Sequence, residues 1–213
     1  MAPAKSEASP APKEKRSLRE QIRGVASLVL IVACVFSARA SLADHYYVPS
    51  GSMLPTVNIG DRIIVDKTAF GFRLPMMQSY LVEGSGPSRG DVVVLASPED
   101  GTVLLKRVVG LPGDRIEVKS GQVYLEGRAV EIVQEGDRRL ERLGDNAHLL
   151  DLSSGGGRDL EPTTIPSGQY LVLGDNRGSS RDGRFFGLVQ RGAIMGKAIR
   201  MYRHAGEWTW LPM

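Results

Sequence analysis

Two serines flank one glycine in the stretch 49-PSGSMLPT-56, and either hydroxyl could serve as a nucleophile. Prolines at positions 49 and 55 restrict the backbone on both sides. A serine hydroxyl attacks a carbonyl group only when a base within about 2.6–3.2 Å takes its proton. Neither Ser50 nor Ser52 has the flanking glycines of a nucleophile elbow. The chemistry therefore depends on which side chain supplies the base.

Histidine is the first candidate for that base. His45 lies seven residues before Ser52, so a Ser-His arrangement is conceivable. The other interpretation of His45 is an interfacial residue beside Tyr46 and Tyr47. Both interpretations stay open at the level of the sequence.

Lysine is the second candidate, since arginine stays protonated in proteins. Lys106 lies inside the run 102-TVLLKRVVG-110, with apolar neighbours on both sides. Burial there would disfavour the ammonium. Lowering its pKa from about 10.4 to about 7 means withdrawing roughly 4.6 kcal/mol of preference for the charged form. The alternative is a lysine that points outward from an ordinary strand.

Composition and charge exclude several classes of function. Cys34 is the only cysteine, so the chain has no intramolecular disulfide and no cysteine-rich zinc site. No H-E-x-x-H zinc motif and no P-loop is present. The net charge of +3 comes from residues 1–43, and residues 44–213 carry slightly more acids than bases. A nucleic-acid-binding body is basic itself, so we expect no nucleic-acid partner. Because the motifs above are absent, we also expect no metal and no cofactor.

The N-terminal region resembles a membrane anchor or an export signal. Residues 1–17 are rich in Ala, Pro, Lys and Glu, which predicts a disordered cytoplasmic tail. An uncharged, mostly apolar run follows at 24–38, and a spanning helix over about 22–42 is feasible. The alternative is a cleavable signal peptide with small-x-small sites ending at Ala40 or Ala43. In both cases the preceding positive charges keep the N-terminus in the cytoplasm and export residues 44–213.

The remainder of the chain reads as mainly β. Alternating or β-branched runs recur at 62–66, 91–96, 102–110, 115–119, 122–127, 169–174 and 193–202. Several strands follow a Gly-Asp pair, which is a turn former. Residues 134–160 are polar and include a Gly/Ser tract. We interpret them as a variable, mobile surface excursion.

Three segments together resemble the bacterial type I signal peptidases. The first is 49-PSGSMLPT-56 with 60-GDRIIVDK-67, which resembles the nucleophile segment of that family. The second, 106-KRVVGLPGD-114, looks like its lysine segment, and the third is 174-GDNRGSSRDGR-184. Their order behind an apolar helix also matches, and the similarity covers about residues 18–204.

The resemblance implies a role for four of these residues. Ser52 is the nucleophile, and Lys106 is the general base that takes its proton and returns it to the leaving amine. Ser50 supplies a hydroxyl to the oxyanion hole beside the Ser52 N–H. Ser180 orients the lysine amine, although the adjacent Ser179 leaves this assignment open.

The same resemblance implies ion pairs that support the site. The third segment departs from the family pattern at positions 178, 179 and 183, which are Gly, Ser and Gly. The supporting residues that the resemblance implies are Asp175, Asp182, Arg107, Arg177 and Arg184. The alternative is that the charges of these five residues are plain loop charges.

The resemblance also implies architecture, substrate and location. It predicts a domain of coiled antiparallel sheets over 44–213 with a variable insertion at about 119–167, behind a retained transmembrane helix at 18–43. The implied function is removal of signal peptides from exported pre-proteins after small-x-small (Ala-x-Ala) sites, on the outer side of the cytoplasmic membrane. The expected partners are these pre-proteins, membrane lipid and the protein-export machinery. The alternatives are a specialised processing peptidase of a conjugation or pilin system and a non-catalytic exported peptide-binding domain. Self-cleavage near Ala40 or Ala43 is a further hypothesis.

Overall fold

The computed structural model describes residues 18–72, 81–144 and 146–213. The described chain falls into two compact units, which divide after Ala38. The tail predicted to be disordered, 1–17, lies outside the described residues.

The first unit contains most of one long helix, α1 (Leu18–Leu42). The apolar run at 24–38 lies inside it, so the prediction of a helix here is confirmed. The side chains of residues 33–41 lie outside the described set. Among the residues that are described, no helix combines the length and apolar character needed to cross a membrane.

The second unit is built from strands. In chain order they are β1 (Ala43–Tyr47), β2 (Arg62–Asp66), β3 (Gly71–Phe72), β4 (Val82–Glu83), β5 (Val92–Ala96), β6 (Val103–Gly110), β7 (Arg115–Lys119), β8 (Gln122–Leu125), β9 (Arg128–Ala129), β10 (Ile132–Glu135), β11 (Arg138–Leu143), β12 (Asn146–Leu150), β13 (Leu160–Thr164), β14 (Gln169–Leu173), β15 (Val189–Gln190), β16 (Ile194–His204) and β17 (Glu207–Pro212). A short helix, α2 (Gly183–Phe186), and 3₁₀ turns at Arg177–Ser179 and Arg191–Ala193 lie between the later strands.

An eight-stranded antiparallel sheet forms the body of this unit. Its strand order is β1-β2-β16-β5-β6-β14-β15, and β17 also pairs with β16. The first half of β16 pairs with β5 and its second half with β17, while β2 lies along its other edge. Smaller sheets have the orders β10-β11-β12, β13-β7-β8-β9 and β3-β4. The prediction of a mainly β, antiparallel fold is confirmed.

Central strand β5 shows why the hydrophobic runs form buried strands. Val92 and Val94 pack into one apolar cluster, whereas Val93 and Leu95 pack into another on the opposite face. A strand covered on both faces reads as a continuous apolar run. All seven predicted strands are found, with ends shifted by at most two residues.

Three Gly-Asp pairs form the same turn, each directly before a strand. In each pair the glycine has a φ of +92° or +93°, a conformation that favours glycine. The aspartate carboxylate accepts a hydrogen bond from the backbone N–H three residues earlier. The three bonds are Asn58 to Asp61 (2.7 Å), Ser88 to Asp91 (2.9 Å) and Leu111 to Asp114 (2.5 Å).

The segment 134–160 differs from the sequence interpretation. Instead of a surface excursion, it contains the antiparallel pair β11 and β12, in which Glu141 lies directly opposite His148. Leu143 and Leu150 are buried on the same hairpin. Period-two burial was hidden because two of the inward positions carry polar residues, which an ion-pair network accommodates.

The Gly/Ser tract that follows is also packed against the fold. A Cβ atom on Gly156 would lie 2.0 Å from the carbonyl carbon of Ser120. A Cβ atom on Gly178 would lie 2.3 Å from the carbonyl oxygen of Ser154. Backbone approaches as close as these admit only glycine. The glycines of this segment therefore serve close packing.

Candidate active site

The serine segment lies in the loop between β1 and β2 and is fixed by its apolar residues. Met53 and Val57 are buried in a cluster with Ile63 and Val92 of the large sheet. The Val57 N–H donates to the Met53 carbonyl oxygen at 2.9 Å. Ser52 directly precedes the anchored Met53 and is only 9% exposed.

Lys106 approaches Ser52 from strand β6 of the same large sheet. It lies on β6, where the backbone pairs with Val93 of β5, and its residue is 3% exposed. Its Nζ atom is hydrogen bonded to Ser52 Oγ at 2.6 Å and donates to the Leu105 carbonyl oxygen at 3.0 Å. The two residues that sequence reasoning placed at the centre of the chemistry are therefore in contact.

Burial changes the charge preference of Lys106. Loss of hydration lowers the pKa of its amine to about 8, although the carboxylates of Asp182 and Asp175 oppose this shift. At pH 7 about one molecule in ten then carries a neutral amine, whereas an ordinary lysine is neutral in about one of several thousand. The site thus holds a usable base next to a hydroxyl.

His45 does not occupy this position. It lies on β1, where its backbone pairs with Ile64, and its ring meets Tyr202 edge-on at a centroid distance of 6.5 Å. The Ser-His alternative is therefore wrong, because the hydrogen-bond partner of Ser52 Oγ is Lys106.

The third predicted segment holds the serine segment in place. The Asn176 backbone N–H donates to the Ser52 carbonyl oxygen at 3.1 Å. Its side-chain Nδ2 donates to the Gly51 carbonyl oxygen at 3.3 Å. The Thr56 hydroxyl donates to the Asp175 carboxylate at 2.6 Å. Contacts from adjacent residues of one segment thus fix the peptide groups around the nucleophile.

Two of the supporting ion pairs form between predicted residues. Arg107 binds Asp175 through Nε at 2.8 Å and Nη2 at 2.7 Å. Arg184 binds Asp182 through Nε and Nη2, each at 2.8 Å. All four side chains are buried, so the interpretation as plain loop charges is wrong. Burial alone would raise the pKa of the Asp175 carboxyl, but the Arg107 guanidinium outweighs it and holds that pKa below its ordinary value.

The third pair includes a residue that sequence reasoning missed. Arg177 forms a bidentate ion pair with Glu141 of β11, with one bond of 3.0 Å between Nη1 and Oε1. His148 Nε2 lies 3.3 Å from Glu141 Oε2 and 3.7 Å from Asp175 Oδ1. Burial would raise the pKa of Glu141, but Arg177 and then His148 hold it below its ordinary value. The only sequence signal for Glu141 was its position two residues before Leu143 on one strand face.

Ser180 does not make its predicted contact. It is buried, and its Oγ has no hydrogen-bond partner among the described residues. Lys106 instead turns its amine to Ser52 and to the Leu105 carbonyl of its own strand. Ser180 Oγ packs against Gly174, because a Cβ there would lie 2.3 Å from it and 2.4 Å from the Ser52 carbonyl oxygen. The alternative, Ser179, is exposed.

Two hollows meet at the Ser52–Lys106 pair. One is small and largely apolar, about 70 Å³, and its walls include Tyr47, Ile63 and Val103. The other is a more open cleft whose walls include Leu54, Ser179 and Arg181. Ser50, which is exposed, lines both. Across residues 18–72, 81–144 and 146–213, no group of His, Cys, Asp and Glu side chains is arranged to hold a metal ion.

Comparison with known proteins identifies the family. The family described as signal peptidase, peptidase S26, matches residues 21–202. The chain belongs to this family. Signal peptidase I of Pseudomonas aeruginosa is 35% identical over 196 residues, which cover 81% of this chain and 69% of that protein. Signal peptidase I of Leptolyngbya laminosa is 30% identical over 200 residues, covering 90% and 84% respectively. The family predicted from the three segments is confirmed, and membership in the signal peptidase family makes the chain a peptidase.

Proposed function

We propose that the chain is a membrane-bound serine endopeptidase that removes N-terminal signal peptides from exported pre-proteins. The observation that carries this proposal is the 2.6 Å contact between Ser52 Oγ and Lys106 Nζ. The contact is buried from solvent but open to two hollows. A lysine with a lowered pKa beside a serine hydroxyl is a known variant of the serine-protease triad.

Acylation uses both residues of the pair. The neutral Lys106 amine takes the Ser52 hydroxyl proton while Oγ bonds to the scissile carbonyl carbon. The resulting tetrahedral intermediate collapses as the Lys106 ammonium gives that proton to the leaving amine. The new N-terminus departs, the signal peptide stays as an ester on Ser52, and Lys106 is again neutral.

Deacylation repeats the sequence with water. Lys106 takes a proton from a water molecule as the water oxygen attacks the ester carbonyl carbon. Lys106 then returns the proton to Ser52 Oγ as the bond between Oγ and that carbon breaks. The signal peptide leaves with a free carboxylate, and the enzyme returns to its starting state. No metal or cofactor is required by these steps.

The oxyanion of each intermediate needs donors close to the nucleophile. The Ser52 N–H is one candidate, because it donates to no backbone carbonyl of the described residues. The Ser50 hydroxyl is the second, since Ser50 lines both hollows that meet at the pair. Donors directed at a developing oxyanion typically accelerate acyl transfer by about a hundred- to a thousand-fold each.

The substrate would bind as an extended segment along β6. Pairing of β6 with β14 begins at Arg107, so within the described part of the chain residues 103–106 pair on one edge only, with β5. An extended peptide can add to such an edge and direct alternate side chains into pockets. The small apolar hollow beside this edge would accept alanine and exclude larger side chains by steric clash. These features support cleavage after small-x-small (Ala-x-Ala) sites.

The setting we propose is the outer face of the cytoplasmic membrane. Helix α1 would be retained as the anchor, with the basic tail in the cytoplasm. Tyr47, Trp208 and Trp210 are exposed by 60%, 79% and 64%. Aromatic side chains favour the lipid headgroup layer, which supports membrane lipid as a partner. Pre-proteins would reach the site from the protein-export machinery.

Cleavage of a pre-protein tests the proposal directly. Purified full-length chain in detergent is incubated with a pre-protein that carries an Ala-x-Ala signal sequence, and mass spectrometry identifies the new N-terminus. We expect cleavage after the second alanine by the wild type and none by Ser52→Ala. A pre-protein with leucine in place of that alanine serves as the substrate control. Equal cleavage by Ser52→Ala would contradict the proposal.

A further inference from the structure

The Glu141–Arg177 pair is one of the deeply buried ion pairs in the described part of the chain. Glu141 is 0% exposed and Arg177 is 1% exposed. Beyond Glu141, the Arg177 guanidinium donates to the Gly121 carbonyl oxygen through Nη1 and to the Gly174 carbonyl oxygen through Nε at 3.2 Å. Every nitrogen of this guanidinium therefore has an acceptor, which such burial requires.

The pair is one residue from the contacts that hold the nucleophile. Asn176 precedes Arg177 and donates to the carbonyl oxygens of Ser52 at 3.1 Å and Gly51 at 3.3 Å. The Arg177 side chain donates through Nε to the carbonyl oxygen of Gly174, two residues before Asn176. The Arg177 backbone is held as well, because its N–H donates to the Asp151 carbonyl at 3.0 Å.

Glu141 is also connected to a second support of the serine segment. Its cross-strand neighbour His148 lies between Glu141 and Asp175, within 3.3 Å of one carboxylate and 3.7 Å of the other. The Asp175 carboxylate accepts a hydrogen bond from the Thr56 hydroxyl at 2.6 Å. Two routes thus lead from the β11–β12 hairpin to the residues on either side of Ser52.

We propose that Glu141, through its bidentate bond to Arg177, is a positioning residue for the nucleophile Ser52. The inference rests on the proposed function of Ser52. It assigns a role in the reaction to the β11–β12 hairpin, although none of the described residues of this hairpin lines either hollow at the Ser52–Lys106 pair. A displacement of about 1 Å in a reacting group can lower a catalytic rate by about a hundred-fold.

The first measurement separates turnover from substrate binding. Glu141→Gln keeps the shape of the side chain but leaves the Arg177 cation without its counter-ion. We expect kcat for pre-protein cleavage, corrected for the folded fraction, to fall by about a hundred-fold while KM changes less than about two-fold. The matched control is Glu131→Gln, an exposed carboxylate near Arg142 just before β10, which should leave kcat unchanged. Wild-type kcat in Glu141→Gln would overturn the inference.

A double variant separates positioning from simple charge compensation. Glu141→Gln with Arg177→Met removes both buried charges, which commonly restores stability lost by breaking such a pair. If Glu141 only compensates the Arg177 charge, the double variant regains wild-type kcat, and the inference is overturned. We expect its thermal midpoint to recover while its kcat stays about a hundred-fold low. Should neither variant fold, Glu141→Asp keeps the charge on a shorter side chain, and the same fall in kcat is expected.

Ser52→Ala, measured in parallel, tells the two proposals apart. If Ser52→Ala cleaves as fast as the wild type, the proposed function fails, and the role of Glu141 fails with it. If Ser52→Ala is inactive while Glu141→Gln or the double variant has wild-type kcat, only the positioning inference fails.

Discussion

The backbone N–H of Asn176 donates to the carbonyl oxygen of Ser52 at 3.1 Å. The same residue reaches the Gly51 carbonyl through its side-chain amide. The orientation of the proposed nucleophile is therefore set by a residue far along the chain. This contact explains physically why the serine segment and the 174–184 segment occur together in one site, since the second adds hydrogen bonds to the apolar packing that anchors the first.

Replacement of Lys106 by arginine tests the base. Lys106→Arg keeps a positive charge, but a guanidinium cannot accept the Ser52 proton. We expect kcat/KM for pre-protein cleavage to fall by at least about 10⁴-fold. Lys119→Arg is the control, because Lys119 is exposed on β7 and should tolerate the change. Activity retained in Lys106→Arg would exclude the mechanism.

The pH dependence of the wild type follows from the same amine. Only neutral Lys106 can accept the proton, and its pKa is lowered to about 8. The ratio kcat/KM should therefore rise about tenfold per pH unit below this value and level off above it. Initial rates between pH 5.5 and 10 measure the profile. A ratio that still rises about tenfold per unit up to pH 10, as the ordinary lysine pKa of 10.5 requires, would show that burial does not act on the amine.

The buried amine should also reduce stability at neutral pH. Its pKa is depressed in the folded state only, so unfolding releases the burial penalty, which amounts to about 3 kcal/mol at most. We expect Lys106→Met to raise the free energy of unfolding by about 1–3 kcal/mol at pH 7. The stability advantage of Lys106→Met over the wild type should shrink as pH rises from about 8 toward 10.5. In this range the amine is protonated in the unfolded wild type but neutral in the folded one, so the wild type gains stability with pH. Denaturant titrations at several pH values test this, and a pH-independent difference would contradict it.

Local patterns were sufficient for the strands and the turns, whereas the pairing of Ser52 with Lys106 was predicted from the resemblance of three segments to the signal peptidases. The run around Val93 predicts a strand because its pattern depends on neighbours in the sequence. Gly60 and Asp61 predict a turn for the same reason. The apolar neighbours of Lys106 indicated a buried lysine, but the pattern alone left an outward-facing strand residue open. The 2.6 Å contact with Ser52 then follows from the fold.

The network behind the site could not be predicted in the same way. Glu141 and His148 lie in a polar stretch, and polar residues are usually exposed. Their burial depends on Arg177 and Asp175, whose positions are set by another sheet. The predicted Ser180 contact is also absent, since Ser180 Oγ packs against Gly174 while the lysine amine meets Ser52 and the Leu105 carbonyl. Non-local partners decide these cases.

Ser50→Ala tests the second oxyanion donor. Ser50 lines both hollows at the pair, and loss of one donor to an oxyanion typically lowers kcat by about 10²–10³-fold. We expect that fall with little change in KM, and substantial activity in Ser50→Thr, which keeps the hydroxyl. Ser85→Ala, at an exposed site, is the control. Equal kcat in Ser50→Ala and wild type would remove Ser50 from the oxyanion hole.

Gly178→Ala tests the packing of the Gly/Ser tract. The added Cβ would lie 2.3 Å from the Ser154 carbonyl oxygen, so the two backbone segments must separate. Overpacking of this kind costs about 1–3 kcal/mol, which corresponds to a fall in the thermal midpoint of roughly 2–10 °C for a chain of this size. Ser153→Ala, exposed on the same tract, should leave the midpoint within about 1 °C. Because Gly178 follows Arg177, we also expect kcat to decrease. An unchanged midpoint in Gly178→Ala would mean that residues 152–157 do not pack here and that the surface excursion predicted from the sequence is the better description.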